Sequence, residues 1–192
     1  MVTVPSVSNI LGDKLTAFAP NTSGIPYLKG DRDCSLEIIK QVYDVGRLFE
    51  RIDNFAATAE VFNRIGKVEL EYRHLSADLT IIYEDIRQTA LCIATRGQQG
   101  RGQFEMLQGG VKKIGSLIYS GKYHIEQCIT DSARAAYLAT AIEKGCEVEK
   151  YPKDPFVVLD MKLTPTVSSK LSKLRRTLPE AYYYWTKISE LL

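Results

Sequence analysis

The sequence predicts an all-α protein, a bundle of seven or eight helices, on three observations. Apolar residues recur at i, i+3, i+4 and i+7 through most of the chain, the period of helices with one buried face. The links between periodic segments are short, apart from a loop at 20–34 and an irregular stretch at 146–164. The length of 192 residues, 45% apolar and 25% charged, suits a single domain with a sizeable core.

Residues 1–4 form at most a short strand. Pro5 and Ser6 open the first helix, with Ser6 able to accept from the first free N–H groups, and the helix ends by Pro20. Its apolar face reads Val7, Ile10, Leu11, Lys14, Leu15, Phe18. Five of the six are apolar, so Lys14 must snorkel to water or meet an anion. Residues 20–34 are turn formers, and a loop of that length is often functional.

A second helix, about 35–52, is expected to use Ser35 as its cap and to bury Leu36, Ile39, Tyr43 and Phe49. A third, about 55–73, carries Phe55, Ala59, Phe62, Ile65, Val68 and Tyr72 on one face. The fourth, about 77–95, has the cleanest stripe: Leu79, Ile82, Tyr83, Ile86, Ala90, Ile93 and Ala94. Residues 96–103 break the pattern and read as a flexible linker. Helices at about 103–119 and 124–144 follow, the second alanine-rich enough for close packing. Residues 156–159 could be a strand or a buried extended stretch. A last helix buries Ala181, Tyr184, Trp185, Ile188 and Leu191.

Several function classes are disfavoured. The net charge of +2 imposes no field that calls for a polyanion or a membrane surface. No apolar run approaches the roughly 20 residues that span a bilayer, and no secretory signal opens the chain, so a cytoplasmic location is expected. The cysteines at 34, 92, 128 and 146 and the histidines at 74 and 124 lack metal-ligand spacing. They read as reduced, with Cys92 and Cys128 in the core. Two histidines so placed support no Ser/His/Asp arrangement.

Four constellations could carry chemistry. Asp44 sits in Gln-Val-Tyr-Asp-Val-Gly, and Lys40 lies one turn earlier on the same helix face. The bland reading is a surface i, i+4 pair; the sharper one joins Asp44 to Lys14, since both flank the 20–34 loop. Asp31-Arg32-Asp33 resembles a magnesium-binding D-x-D, but in a loop beside Lys29 it reads as a solvated charged turn. Residues 96–103 could offer backbone N–H groups and two arginines to phosphate, without matching a known glycine-loop spacing. Lys170, Lys173, Arg175 and Arg176 form a basic patch able to touch an RNA backbone, and Tyr182–Trp185 could stack on bases or pack in the core.

Pro5–Tyr27 (PSVSNILGDKLTAFAPNTSGIPY) and Glu37–Val45 (EIIKQVYDV) resemble two motifs of the AbiEii/AbiGii nucleotidyltransferase toxins of abortive-infection and type IV toxin–antitoxin systems. One motif is an apolar helix carrying a lysine followed by Leu-x-Ala. The other is a helix ending in an aromatic–Asp–apolar step. The resemblance continues as a general helical pattern to about residue 145. It implies Lys14 as a contact to nucleotide phosphates, Asp44 as an active-site carboxylate and Lys40 as a further nucleotide-binding position. The family often has a basic–acidic pair before the aromatic–Asp step; here the pair is Lys40 and Gln41, without the acid.

The resemblance also implies an NTP and Mg as cofactors, with neither bound tightly by this chain alone. Family members begin with a small α/β domain bearing Gly-Ser and a metal-binding carboxylate pair. Only thirteen residues precede Lys14, so the chain is expected to correspond to the C-terminal, mostly helical half and to be inactive alone. Expected partners are the N-terminal nucleotidyltransferase half, an antitoxin and, more weakly, RNA such as tRNA; no membrane is expected. The rival reading is a non-catalytic helical protein-interaction module. An uncovered apolar face around Lys14 favours the enzyme half; a fully packed one, with Lys14 far from Asp44, favours the module.

Overall fold

The computed structural model describes residues 4–118 and 123–192. Its α-helices are α1 (Val7–Ala17), α2 (Ser35–Phe49), α3 (Phe55–Tyr72), α4 (Thr80–Ala94), α5 (Phe104–Gly115), α6 (Ile125–Lys144), α7 (Leu174–Thr177) and α8 (Pro179–Leu191). Between α1 and α2 a two-residue hairpin pairs β1 (Leu28–Lys29) with β2 (Arg32–Asp33), antiparallel. The protein is mainly α, a multi-helix bundle, as the apolar periodicity predicts.

Helix α6 is the axis of the bundle, packed against α2, α4 and α8. Every residue from Asp131 to Ile142 is buried, which explains its alanines: neighbours on several sides leave no room for long side chains. Its end is a left-handed Gly145, with the Cys146 N–H donating to Ala141 O and the Gly145 N–H to Ile142 O. Helix α1 lies on α2 and α3, and α2 also carries α5.

The stripes expected on α1 and α3 are rotated in the structure. The buried residues of α1 are Ser8, Leu11, Gly12, Leu15 and Thr16, while Val7, Ile10 and Lys14 stand half-buried on its shoulder. On α3 the buried set is Thr58, Val61, Phe62, Gly66 and Leu70, and the expected Val68 and Tyr72 face solvent. The cause is the α1–α3 contact itself. A Cβ on Gly12 would lie 2.6 Å from Thr58 O and 3.0 Å from Phe62 N, so the two backbones nearly touch. Ser8 O accepts from Thr58 Oγ1 at 3.1 Å, and Ser8 Oγ accepts from the Asn54 N–H and donates to Asp53. Small and hydroxylated residues, invisible to an apolar count, make this interface.

Other expectations change in detail. Ser6 does cap α1, accepting from the Asn9 N–H at 3.2 Å. Ser35 is not the cap of α2 but its first residue, and its N–H donates to Asp33 Oδ1 at 2.7 Å. The 20–34 loop is ordered: the buried Asp85 carboxylate accepts from the Asn21 N–H, the Asn21 amide, and the Thr22 and Thr89 hydroxyls. Residues 96–103 are an ordered turn rather than a flexible linker, with Arg96 and Gly97 both left-handed. Pro155–Val158 is a 3-10 turn, not a strand, with Asp154 capping it. Of the strand expected at 1–4, residues 1–3 lie outside the described residues, and Val4 is exposed and unpaired in any strand.

The 146–164 segment is held by tyrosines of the core. Tyr137 OH accepts from the Glu149 N–H and Tyr184 OH from the Tyr151 N–H, both at 3.0 Å, and Tyr182 OH donates to Met161 O. Tyr182, Tyr183, Tyr184 and Trp185 are all buried, so that run is core rather than a stacking platform. Cys92 and Cys128 are buried, and all four cysteines are free thiols. Among the described residues no helix is long and apolar enough to cross a membrane.

Candidate functional site

The shoulder of α1 faces the shoulder of α2, and there Lys14 Nζ lies 3.0 Å from Asp44 Oδ2. Leu11 and Leu15 anchor α1, and Val42 and Val45 anchor α2, so both polar side chains stand at the rim of a rigid apolar contact. The two side chains are 30% and 38% exposed, which leaves the pair open to solvent and to an incoming ligand. The structure therefore brings together the two residues that the sequence places on either side of the loop. Lys40, one turn before Asp44, is exposed, and no carboxylate approaches it within 4.0 Å among the described residues. Asp44 pairs across helices, not along its own.

The surroundings of Lys14 answer the two readings in opposite ways. Leu11, Leu15 and Phe18 are fully buried, so the apolar face is packed; only Val7 and Ile10 remain half-covered. Yet Lys14 is in contact with Asp44 rather than far from it.

The donor set does not fit magnesium. One carboxylate with an ammonium at 3.0 Å is not the set of oxygen ligands that Mg²⁺ requires. Among the described residues no group of three His, Cys, Asp or Glu side chains could hold a metal. Asp31-Arg32-Asp33 is equally unsuited: Asp33 takes the Ser35 N–H and Lys113 Nζ at 2.5 Å, and Arg32 pairs with Glu37. The Lys113 ammonium beside it holds the Asp33 carboxyl at about 2, below its ordinary 3.8.

Two weaker constellations converge. Arg96 and Gln98 of the turn after α4 share a cavity of about 370 Å³ with Lys170 and Lys173. Lys170 Nζ donates to Gln98 Oε1 at 3.1 Å, and Arg96 pairs with Glu126 at 3.0 Å. Five backbone N–H groups of this turn are already taken and are not available to phosphate. Those of Arg96, Gly97, Gln98 and Arg101 go to Ile93, Cys92, Thr95 and Gln88 carbonyls, and that of Gln99 to the Thr95 hydroxyl. Arg175 lines a different cavity, so the basic patch of the sequence is split.

A buried ionic network escaped the sequence reading. Asp131, 1% exposed, accepts from Arg47, Arg134 and the Tyr123 hydroxyl, and Arg134 also pairs with Glu50 and Glu180. Burial pushes the Asp131 carboxyl up, against the pull of the two arginines, and pushes the Tyr123 phenol well up. A Cβ on Gly46 would fall 2.1 Å from Asp131 Oδ1, and Gly46 O accepts from Arg134 Nη1. The sequence signal was an acid and a base at i, i+3 inside an alanine-rich helix. Comparison with protein-family models, with curated proteins and with solved structures finds no match for this chain.

Proposed function

We propose that this chain supplies the lysine–carboxylate side of a nucleotidyltransferase-like site of the AbiEii/AbiGii type, with Lys14 as the contact to nucleotide phosphates. The observation that carries the reading is the cross-helix Lys14–Asp44 pair, added to the motif resemblance that both residues bear. A triphosphate arriving at Lys14 competes with Asp44 for the same ammonium. The carboxylate so released can accept a hydrogen bond from a nucleotide or acceptor hydroxyl. The metal that such a transfer uses would neutralise phosphate charge, and its carboxylate ligands must come from outside the residues described. Under this reading the chain is inactive by itself, and its partners are a metal-holding nucleotidyltransferase half and an antitoxin.

The test is an NMR titration of the chain with millimolar NTP, with and without magnesium. Shifts centred on α1 and α2 are expected, lost in Lys14→Gln and reduced in Lys40→Gln. The Lys14→Gln chain should fold normally, because a half-exposed pair contributes only about 0–1 kcal/mol. Shifts that persist in Lys14→Gln, or none at all, overturn the reading. So does robust magnesium-dependent nucleotide incorporation by the purified chain alone.

The packed face of Leu11, Leu15 and Phe18 favours the second reading, a helical protein-interaction module in which Lys14–Asp44 is structural. A third reading, weak RNA binding, rests on Arg96 converging with Lys170 and Lys173. It predicts RNA affinity that falls steeply with salt and with joint Lys170→Gln and Lys173→Gln substitution. Salt-insensitive binding, or none, removes it.

A further inference from the structure

A cavity of about 530 Å³ lies between the 161–167 segment and the turns that lead into α8. Its size is within the range of small-molecule sites. Ser169–Lys173 is a 3-10 helix that runs directly into α7. Three residues per turn stack positions three apart into rows, and the sequence Ser169-Lys-Leu-Ser-Lys-Leu-Arg175 gives each row its own environment. Leu171 and Leu174 are buried in the core. Lys170 and Lys173 line the cavity that holds Arg96. Ser169, Ser172 and Arg175 line this one, joined from the facing segment by Lys162.

These four donors are reachable and uncommitted. Ser169, Ser172 and Lys162 are exposed, and Arg175 is half-buried. The nearby Ser168 hydroxyl accepts from the Lys170 N–H and the Thr177 hydroxyl donates to Lys173 O, whereas those of Ser169 and Ser172 have no hydrogen-bond partner among the described residues. Neither Lys162 nor Arg175 has an ion-pair partner among the described residues, and no Asp or Glu lines the cavity. The facing wall is apolar and fixed. Met161, Leu163 and Val167 pack against the core. Met161 O accepts from the Tyr182 hydroxyl at 3.1 Å, and the Thr164 N–H donates to Ser189 Oγ at 3.2 Å, which pins the segment to α8.

Charge and shape narrow the ligand. Two cations with no acid beside them call for a dianion. A carboxylate, a sulfate monoester or the phosphodiester of an RNA backbone brings one negative charge and leaves one cation unanswered. Inorganic phosphate brings two charges but leaves the apolar wall bare. A phosphomonoester, which loses its second proton near pH about 6, brings both charges, three acceptor oxygens and a body for the wall.

We propose that this cavity binds a phosphomonoester with a compact hydrocarbon body. Arg175 and Lys162 hold the phosphate, the Ser169 and Ser172 hydroxyls donate to its oxygens, and the apolar wall takes the body. The site is separate from the Lys14–Asp44 pair and shares no lining residue with the Arg96 cavity.

The experiment is calorimetric titration of the full chain, at about pH 7.5, where the monoester is dianionic, with phenyl phosphate beside phenyl sulfate and inorganic phosphate. Phenyl phosphate should bind saturably and at least about tenfold more tightly than either, since the first lacks the second charge and the other lacks the body. Arg175→Gln should weaken it about tenfold. Arg176→Gln removes the same charge from the next residue, outside the lining, and should leave the affinity unchanged. Ser172→Ala, at an exposed position, should weaken binding about threefold with the melting temperature unchanged. No saturable heat up to about 10 mM phenyl phosphate overturns the proposal. Equal losses in Arg175→Gln and Arg176→Gln do the same, because they reveal attraction to the basic surface at large. Displacement of phenyl phosphate by a short RNA with a 5′-hydroxyl, at equal phosphate concentration, assigns the site to a strand backbone and also overturns it.

Discussion

Gly12 sets how closely α1, the helix that carries Lys14, approaches α3. With Thr58 O 2.6 Å from where a Cβ would sit, any side chain must push the helices apart. We expect Gly12→Val to destabilise the protein by about 3 kcal/mol, at the upper end of overpacking effects. Denaturant unfolding followed by circular dichroism checks it, through a lowered midpoint at constant slope. A loss no larger than that of Gly109→Val, where a Cβ would meet nothing within 4 Å, would show in the same assay that the helices can separate freely. The same residue explains what was legible about Lys14. An apolar count puts the lysine in mid-stripe, because it gives no weight to Ser8, Gly12 and Thr16. Those three, with Leu11 and Leu15, make the buried stripe, so Lys14 moves to the shoulder. Its oddity was visible in the sequence and its partner was inferable, but its exposure was not.

Among elements, the hairpin β1–β2 is the piece least visible in advance. Two residues per strand leave no alternation to detect, and Leu28 and Lys29 are both exposed. What fixes the hairpin is side-chain chemistry: Asp33 receives the first N–H of α2 and the ammonium of Lys113 on α5. These contacts give a pH signature. The folded Asp33 carboxyl titrates at about 2, below its ordinary 3.8. A depressed folded value means that its stabilisation is complete above about pH 4 and is lost as pH falls through about 2. Asp131 runs the other way: its folded carboxyl is raised, so acidification does not cost stability there. The stability difference between wild type and Asp33→Asn should therefore be constant from pH 5 to 7 and shrink between about pH 4 and 2. A difference that stays flat to the lowest pH would mean that the Lys113 contact contributes nothing. Helices, by contrast, were legible to within a few residues, because their apolar faces repeat over many turns.

For the whole molecule, the bundle is joined at its middle by charge as well as by apolar packing. Arg134 of α6 reaches Glu50, just beyond α2, and Glu180 of α8, while Asp131 holds Arg47 of α2 and the Tyr123 hydroxyl ahead of α6. Sequence reasoning could not assemble this set, since its paired members lie up to 84 positions apart and each is unremarkable alone. The network ties α8, and with it Tyr182 and Tyr184, which hold part of the 146–164 segment, to α2, one of the two helices that carry the candidate site. Removing one partner from a buried pair leaves an uncompensated charge, a loss of about 3–5 kcal/mol. Asp131→Ala should therefore destabilise by about that much, because Arg47 and the Tyr123 hydroxyl lose their acceptor. Asp131→Asn keeps an acceptor and the side-chain volume, and burial already favours the uncharged form of this group, so it should cost less than half as much. Urea denaturation of the two variants measures both numbers, and amide hydrogen exchange locates the effect. Protection should fall in α8 and the 146–164 segment in Asp131→Ala, with the α1–α3 interface retained. Equal losses in the Ala and Asn variants would show that shape, rather than charge, is what Asp131 provides.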